Sequence, residues 1–244
     1  MTPLRICLWS GPRNVSTALM YSFAQRSDTR ALDEPLYAHY LSVTEADHPG
    51  KEEILASMEK DGERVVRDVI LGPCDRPVLF MKHMAHHLVH IDRSFLKKTI
   101  NVLLVRDPRY VLPSLAKKLP SPQLRDTGLA IQCELLQQLQ DWEQEPLVLD
   151  SSDFFPDPAG ILNTLCARIG IPFRKAMLRW TADPHPEDGV WAPYWYHTVH
   201  RSTGFEPIPE AKSFPPHLNS LLEECRPYYE QFKAAAIKTT GRNE

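Results

Sequence analysis

Apolar positions along the chain fall into short blocks that alternate between two spacings. Residues 5–9 form a compact apolar run, the pattern of a strand buried on both faces. Gly11 and Pro12 break it. Val15, Ala18, Leu19, Ser22 and Phe23 then follow the i, i+3, i+4, i+7, i+8 stripe of a helix, with Asn14 placed as its N-cap. Residues 29–32 read as a second strand that stops at Asp33-Glu34-Pro35. A short helix over 37–41 and a surface helix over 51–60 follow.

The alternation continues. Strands are predicted at 78–81, ending in Lys82-His83, at 101–105, ending in Arg106-Asp107-Pro108, and at 146–149, ending in Asp150. Helices are predicted around 85–90 and 110–118. A longer one is marked by Leu129, Cys133, Leu136, Leu139 and Trp142. Pro158 opens another at its first turn, and Gly170 suits its stop. Strand–helix alternation of this kind predicts an α/β fold: a parallel sheet with helices on both faces. After Trp180 the period is lost. Seven prolines fall from Pro184 to Pro216 among several aromatic residues, so 181–216 reads as an ordered, functional loop region. A final helix is predicted over 217–238. No internal repeat or domain boundary is evident, and residues 1–244 are expected to form one domain.

Composition narrows the function classes. The formal net charge is −3 over 244 residues, so there is no global basic field to draw nucleic acid or anionic lipid. Any anion site must be local. No apolar run approaches the length of a membrane helix. Five scattered cysteines without a short pair, and a start that lacks the pattern of a signal peptide, predict a reducing, cytoplasmic setting.

In an open parallel sheet, ligands bind beyond the carboxyl ends of the strands. Ser10 to Thr17 occupies such a position and carries the parts of an anion cradle. It has a turn able to aim backbone N–H groups inward, a helix N-terminus, the fixed charge of Arg13, and the hydroxyls of Ser16 and Thr17. It is not an ATP-type Walker A loop, because Val15-Ser16 stand where that motif needs Gly-Lys. Asp150 after an apolar strand does resemble a Walker B aspartate. His83, His86, His87 and His90 sit at near-helical spacing, but without HExxH or a neighbouring Cys they make a poor zinc set.

Three stretches together resemble the sulfotransferases that use 3′-phosphoadenosine 5′-phosphosulfate (PAPS). Gly11-Pro12-Arg13-Asn14-Val15-Ser16-Thr17 is similar to their 5′-phosphosulfate loop. Val105 to Ser114 is similar to their 3′-phosphate motif, with Arg106 at a strand end and Ser114 eight residues on. Residues 154–173 resemble a further family stretch, a "DP", a helix, then Gly170-Ile171-Pro172. The resemblance covers about residues 4–173. It implies a P-loop NTPase-like fold and metal-free sulfuryl transfer to a hydroxyl of a small-molecule or carbohydrate acceptor. A 3′-phosphate carries about two negative charges near neutral pH, which suits a bidentate guanidinium.

The resemblance also implies a base after the second strand. Glu34 is the leading candidate, with His83 or His86 as alternatives. Lys82 or His83 is placed to stabilise the leaving group. Arg201, with Ser202, Thr203 and Gly204, is the expected late contact to the 3′-phosphate, and Trp191 or Tyr196 a stacking partner for adenine. Two rival readings stay open: a nucleotide-dependent small-molecule kinase, and a non-catalytic nucleotide-binding module. Neither the acceptor nor the oligomeric state is readable.

Overall fold

A computed structural model describes residues 2–206 and 213–238. Five strands form one parallel sheet: β1 (Leu4–Ser10), β2 (Thr29–Asp33), β3 (Val78–Met84), β4 (Ile100–Val105) and β5 (Leu147–Asp150). Their order is β2-β3-β1-β4-β5. The chain leaves β1 for one edge, returns through β3, and then passes β1 to reach β4. The carboxyl end of β1 therefore lies mid-sheet, where connections diverge and leave a crevice.

The two-residue alternation of each strand divides the core. Ile6, Leu8, Phe80 and Leu104 pack with Leu19, Met20 and Phe23 of the helix Ser16–Ala24 and with Ile161, Leu162 and Leu165 of the helix Pro158–Arg168. Cys7, Trp9, Met81 and Leu103 belong to the opposite cluster. There they meet Leu135 and Leu139 of the helix Leu129–Asp141 and Cys225 and Phe232 of the helix Asn219–Ala235. Each central strand is thus apolar on both sides, which explains why it reads as a continuous run rather than an alternating one.

A third, smaller cluster joins Tyr37 and Leu41 of the helix Tyr37–Val43, Ile54, and Trp191, Ala192 and Tyr196 from the late segment. That late segment is folded back onto the body of the molecule. Trp180 N–H donates to Thr203 O at 3.2 Å, Asp183 N–H to His200 O at 2.8 Å, and the Tyr21 hydroxyl to Asp188 at 2.6 Å. Aromatic and polar anchors hold it, so no helical or strand period is needed.

Several boundaries differ from expectation. β3 continues through Met84, because His83 and Met84 pair with Trp9 and Ser10 of β1. Lys82 and His83 therefore lie inside the strand rather than beyond it, and the expected helix over 85–90 shrinks to a 3-10 turn, Ala85–His87. The helix expected to reach residue 60 ends at Ser57. A short helix, Gly62–Val65, and a π-helical turn, Val66–Ile70, follow where no element is expected. Arg5 holds the end of that turn by donating to the carbonyls of Ile70, Leu71 and Gly72. No helix among the described residues is long and apolar enough to cross a membrane.

Candidate functional site

The loop after β1 makes its turn in a tight space. A Cβ on Gly11 would come within 2.3 Å of the Thr127 carbonyl oxygen, so backbone packs on backbone there and only glycine fits. Gln132, buried beneath the loop, is oriented so that its side-chain oxygen accepts from Gly11 N–H at 3.2 Å while its amide donates to the carbonyls of Trp9 and Leu104. Arg13 follows in the left-handed region, with φ 59°. A non-glycine residue there costs on the order of 1–3 kcal/mol. Here that conformation accompanies a defined set of contacts.

Arg13 Nε donates to Ser114 Oγ at 2.8 Å, and Arg106 Nη1 donates to the Arg13 carbonyl at 2.8 Å. The loop motif and the strand-end motif thus meet. Arg106 also lies over the Tyr110 ring at 5.7 Å, and its buried Nε has no partner among the described residues. Burial depresses the pKa of both arginines, and for Arg106 the neighbouring Arg13 charge adds to the effect. Neither guanidinium forms an ion pair with a carboxylate among the described residues. Two half-buried like charges are therefore held together with hydrogen-bonding capacity to spare.

The helix Ser16–Ala24 begins at this cluster. Its N-cap is Val15, and no side chain caps it. Asn14, expected as the cap, has another task. Its amide donates to Leu104 O at 3.1 Å, and its side-chain oxygen accepts from Ser151 Oγ at 2.6 Å and Val15 N–H at 2.9 Å. Asn14 ties the loop to β4 and to the segment after β5. The first turn, with Ser16 and Thr17, keeps the positive end of the helix uncapped beside Arg13.

At the ends of β3 and β2, one and two strands from β1, the chemistry is of a different kind. Lys82, almost fully buried, donates to Asp33 Oδ1 at 2.9 Å, to Tyr196 Oη at 2.6 Å, and to Glu34 Oε1. Tyr196 Oη donates to Asp33 Oδ2 at 2.7 Å and accepts from Trp191 Nε1 at 3.0 Å. His87 Nε2 stands 3.9 Å from the other Glu34 oxygen. Burial raises the Glu34 pKa to about 7; the Lys82 charge opposes the rise and the Asp33 charge adds to it. Burial works against the Lys82 ammonium, but Asp33 and Glu34 outweigh it and hold the lysine protonated. Glu34 itself has φ 41°.

The histidines separate. His83 is fully buried and stacks on Trp9 with ring centroids 4.2 Å apart. It projects to the sheet face opposite Lys82, and neither ring nitrogen has a partner. Burial, then the Lys82 charge, lowers its pKa to about 3. His87 stacks on Tyr37 and Tyr40, and His86 packs edge-on against His87. Among the described residues no three His, Cys, Asp or Glu side chains gather as a metal site.

Arg201, itself exposed, ends a half-buried 3-10 turn, Val199–Arg201, while Ser202 Oγ accepts from Trp180 Nε1. Trp191 and Tyr196, expected as adenine partners, are buried, and their polar atoms are committed to the Asp33–Lys82 network. Asp150 accepts from Ser152 N–H and from the Tyr229 hydroxyl. Asp33 and Ser151 stand at strand ends in the sequence, the position where ligands gather, whereas Gln132 and Asp188 carry no mark that spacing reveals.

The family model described as Sulfotransferase domain matches residues 4–236. The chain belongs to this sulfotransferase family. Solved sulfotransferases share the fold. One is a sulfotransferase from Alicyclobacillus acidocaldarius, with TM-score 0.56 and 14% identity, covering 96% of each chain. Another is the sulfotransferase domain of the curacin biosynthetic pathway, at 0.56 and 16%, covering 95% of this chain and 98% of the other. The sulfotransferase domain of the Synechococcus PCC 7002 olefin synthase scores 0.54 at 17%, covering 91% and 94%.

Two Arabidopsis thaliana proteins are closer in sequence. They are named branched-chain-amino-acid aminotransferase-like protein 2 and protein 1, and are 43% and 42% identical over 223 residues. The match takes in 91% of this chain but 40% of their length, so the sulfotransferase chain spans well under half of these relatives.

Proposed function

We propose that this sulfotransferase moves a sulfuryl group from PAPS to a hydroxyl of a small-molecule or carbohydrate acceptor, in line and without a metal. The observation that carries the reading is the Arg13–Arg106 pair: two neighbouring guanidiniums without a carboxylate, one with an unpartnered buried Nε, at the uncapped start of a helix. Such a site is electrostatically incomplete. A dianionic phosphate completes it.

In this reading the backbone of Gly11, Pro12, Asn14 and Val15, with Arg13, Ser16 and Thr17, holds the 5′-phosphosulfate. Arg106 and Ser114 hold the 3′-phosphate. The bond from Arg13 to Ser114 supports placing Arg13 between the two anionic groups. Arg201 is assigned the outer side of the 3′-phosphate, where its exposed side chain can adapt.

Glu34 takes the acceptor proton. The new bond joins the acceptor oxygen to sulfur as the bond from sulfur to the bridging phosphate oxygen breaks, and its electron pair leaves with the nucleotide. Arg13 and the loop N–H groups meet the charge that builds on that oxygen. A carboxylate with a pKa of about 7 is well matched to this task near neutral pH. Lys82 orients Glu34. His83, an alternative base, is stacked on the opposite face of β3. The free thiols Cys7, Cys74, Cys133, Cys166 and Cys225 suit a reducing compartment such as the cytoplasm.

The test is calorimetry in EDTA with 3′-phosphoadenosine 5′-phosphate, followed by sulfate transfer from labelled PAPS to a panel of hydroxyl acceptors. Micromolar binding without metal and label in an acceptor are expected. Binding only of ATP with Mg²⁺ overturns the reading in favour of a kinase. Donor binding with no transfer to any acceptor, even at saturating PAPS, favours a non-catalytic module.

A further inference from the structure

The buried network at the ends of β2 and β3 holds one more negative group than positive. Among the described residues Lys82 is its single cation, and it faces two carboxylates. The carboxylates are not equivalent. Asp33 accepts from Lys82, from the Tyr196 hydroxyl and from Gly189 N–H, the last at 3.3 Å. Among the described residues Glu34 accepts from Lys82 alone, and His87 stands beyond hydrogen-bond distance of its second oxygen. Three donors hold a carboxylate in its ionised form far better than one. Two of the Asp33 donors come from the late segment, which is itself anchored through Asp188 to Tyr21 and His200.

We propose that Asp33 is a positioning residue: it draws Lys82 out of an exclusive pair with Glu34, and so leaves Glu34 as the carboxylate of the network that exchanges a proton. This rests on the assignment of Glu34 as the base. The groups that face Glu34 are Asp33 from β2, Lys82 from β3, His87 from the turn after β3, Tyr37 from the following helix, and Tyr196 from the late segment. Lys82 is the permanent cation among them. Burial holds His87 neutral. Burial raises the proton affinity of Glu34 most, Lys82 opposes it, and the excess negative charge of Asp33 adds to the rise. The late segment contributes by fixing Asp33, through Tyr196 and Gly189.

Infrared titration of the full chain tests this without any turnover. The wild type should show a protonated-carboxyl band that disappears with a midpoint at about 7, and E34Q should lack it. In D33N the pair of Lys82 and Glu34 becomes charge-balanced, so the midpoint should fall by at least one pH unit, a tenfold change in proton affinity. D33S removes the same charge with a different shape and should shift the midpoint the same way. An unchanged midpoint in a folded D33N or D33S contradicts the proposal. So does failure of both variants to melt cooperatively, which would make Asp33 structural. Affinity of D33N for 3′-phosphoadenosine 5′-phosphate should stay within threefold of wild type. Failure of the donor assignment would therefore show in that titration and leave the infrared result standing.

Discussion

The two charged clusters at the top of the sheet solve opposite problems. Around Arg13 and Arg106, like charges are brought together and left without a counter-ion. Around Lys82, the ammonium and both Asp33 oxygens have partners within the protein, and only the second Glu34 oxygen stands apart among the described residues. An open cluster of one sign demands a ligand of the other sign. A closed, nearly balanced cluster demands none, and it can instead set how tightly one of its members holds a proton. Donor binding and proton transfer are thereby assigned to separate networks, one in the loops after β1 and β4 and the other at the ends of β2 and β3.

If that separation is real, substitutions in one cluster should leave the other's readout untouched. The largest effect is expected for E34Q, which keeps size and removes basicity. Its kcat should drop by about 10²- to 10⁴-fold, while affinity for 3′-phosphoadenosine 5′-phosphate changes little. A parallel loss of nucleotide affinity would merge the two clusters into one.

R106A should act in the other direction. Losing a charge-assisted contact costs about 1.5–3 kcal/mol, a roughly 10- to 150-fold weakening of nucleotide binding. The melting temperature without nucleotide should change little, because relief of the Arg13–Arg106 repulsion offsets loss of the bond to the Arg13 carbonyl. Coincident loss of stability would mean that Arg106 is chiefly a structural residue.

A smaller, pH-dependent effect distinguishes the proton cluster. Burial raises the Glu34 pKa from its ordinary 4.5 to about 7. Its contribution to stability is then full below about 4.5 and is lost as pH rises through about 7. His83 runs the opposite way. Its pKa falls from 6.5 to about 3, so its contribution is present above 6.5 and lost as pH falls toward 3. Subtracting the melting curve of E34Q from that of wild type isolates the first term. The difference should favour wild type near pH 5 and decline by pH 7.5; a difference that stays flat contradicts a raised Glu34 pKa.

The smallest change is expected for H83F. Phenylalanine preserves the stack on Trp9 and removes two unpartnered buried nitrogens. Activity should remain within a few-fold of wild type, with better tolerance of acid in thermal melts. Loss of activity by 100-fold or more would return the base role to His83.

How much of this was legible depends on what holds each part together. The five strands show in the sequence because both faces are buried, and burial writes itself as apolar runs such as 101–105. The end of β3 misleads for the same reason. Lys82 and His83 are polar, yet both are buried in the strand, one by ion pairs and the other by stacking. Local sequence carries no mark of either partner. Arg13 and Arg106 stand out by position at strand ends, but the bond from Arg106 to the Arg13 carbonyl is a tertiary fact, made across 93 residues. The late segment was the least readable. Its order comes from single anchors, Asp188 to Tyr21 and Tyr196 to Asp33, which leave no period behind.

The central claim is that Arg106 and its neighbours form a site for a nucleotide with a second phosphate at its 3′ position. Titration of wild type and R106A with 3′-phosphoadenosine 5′-phosphate and with 5′-AMP, in EDTA, tests it most directly. Wild type should bind the 3′-phosphorylated nucleotide at least tenfold more tightly, and R106A should abolish most of that preference. Equal affinity of wild type for the two nucleotides would contradict the account.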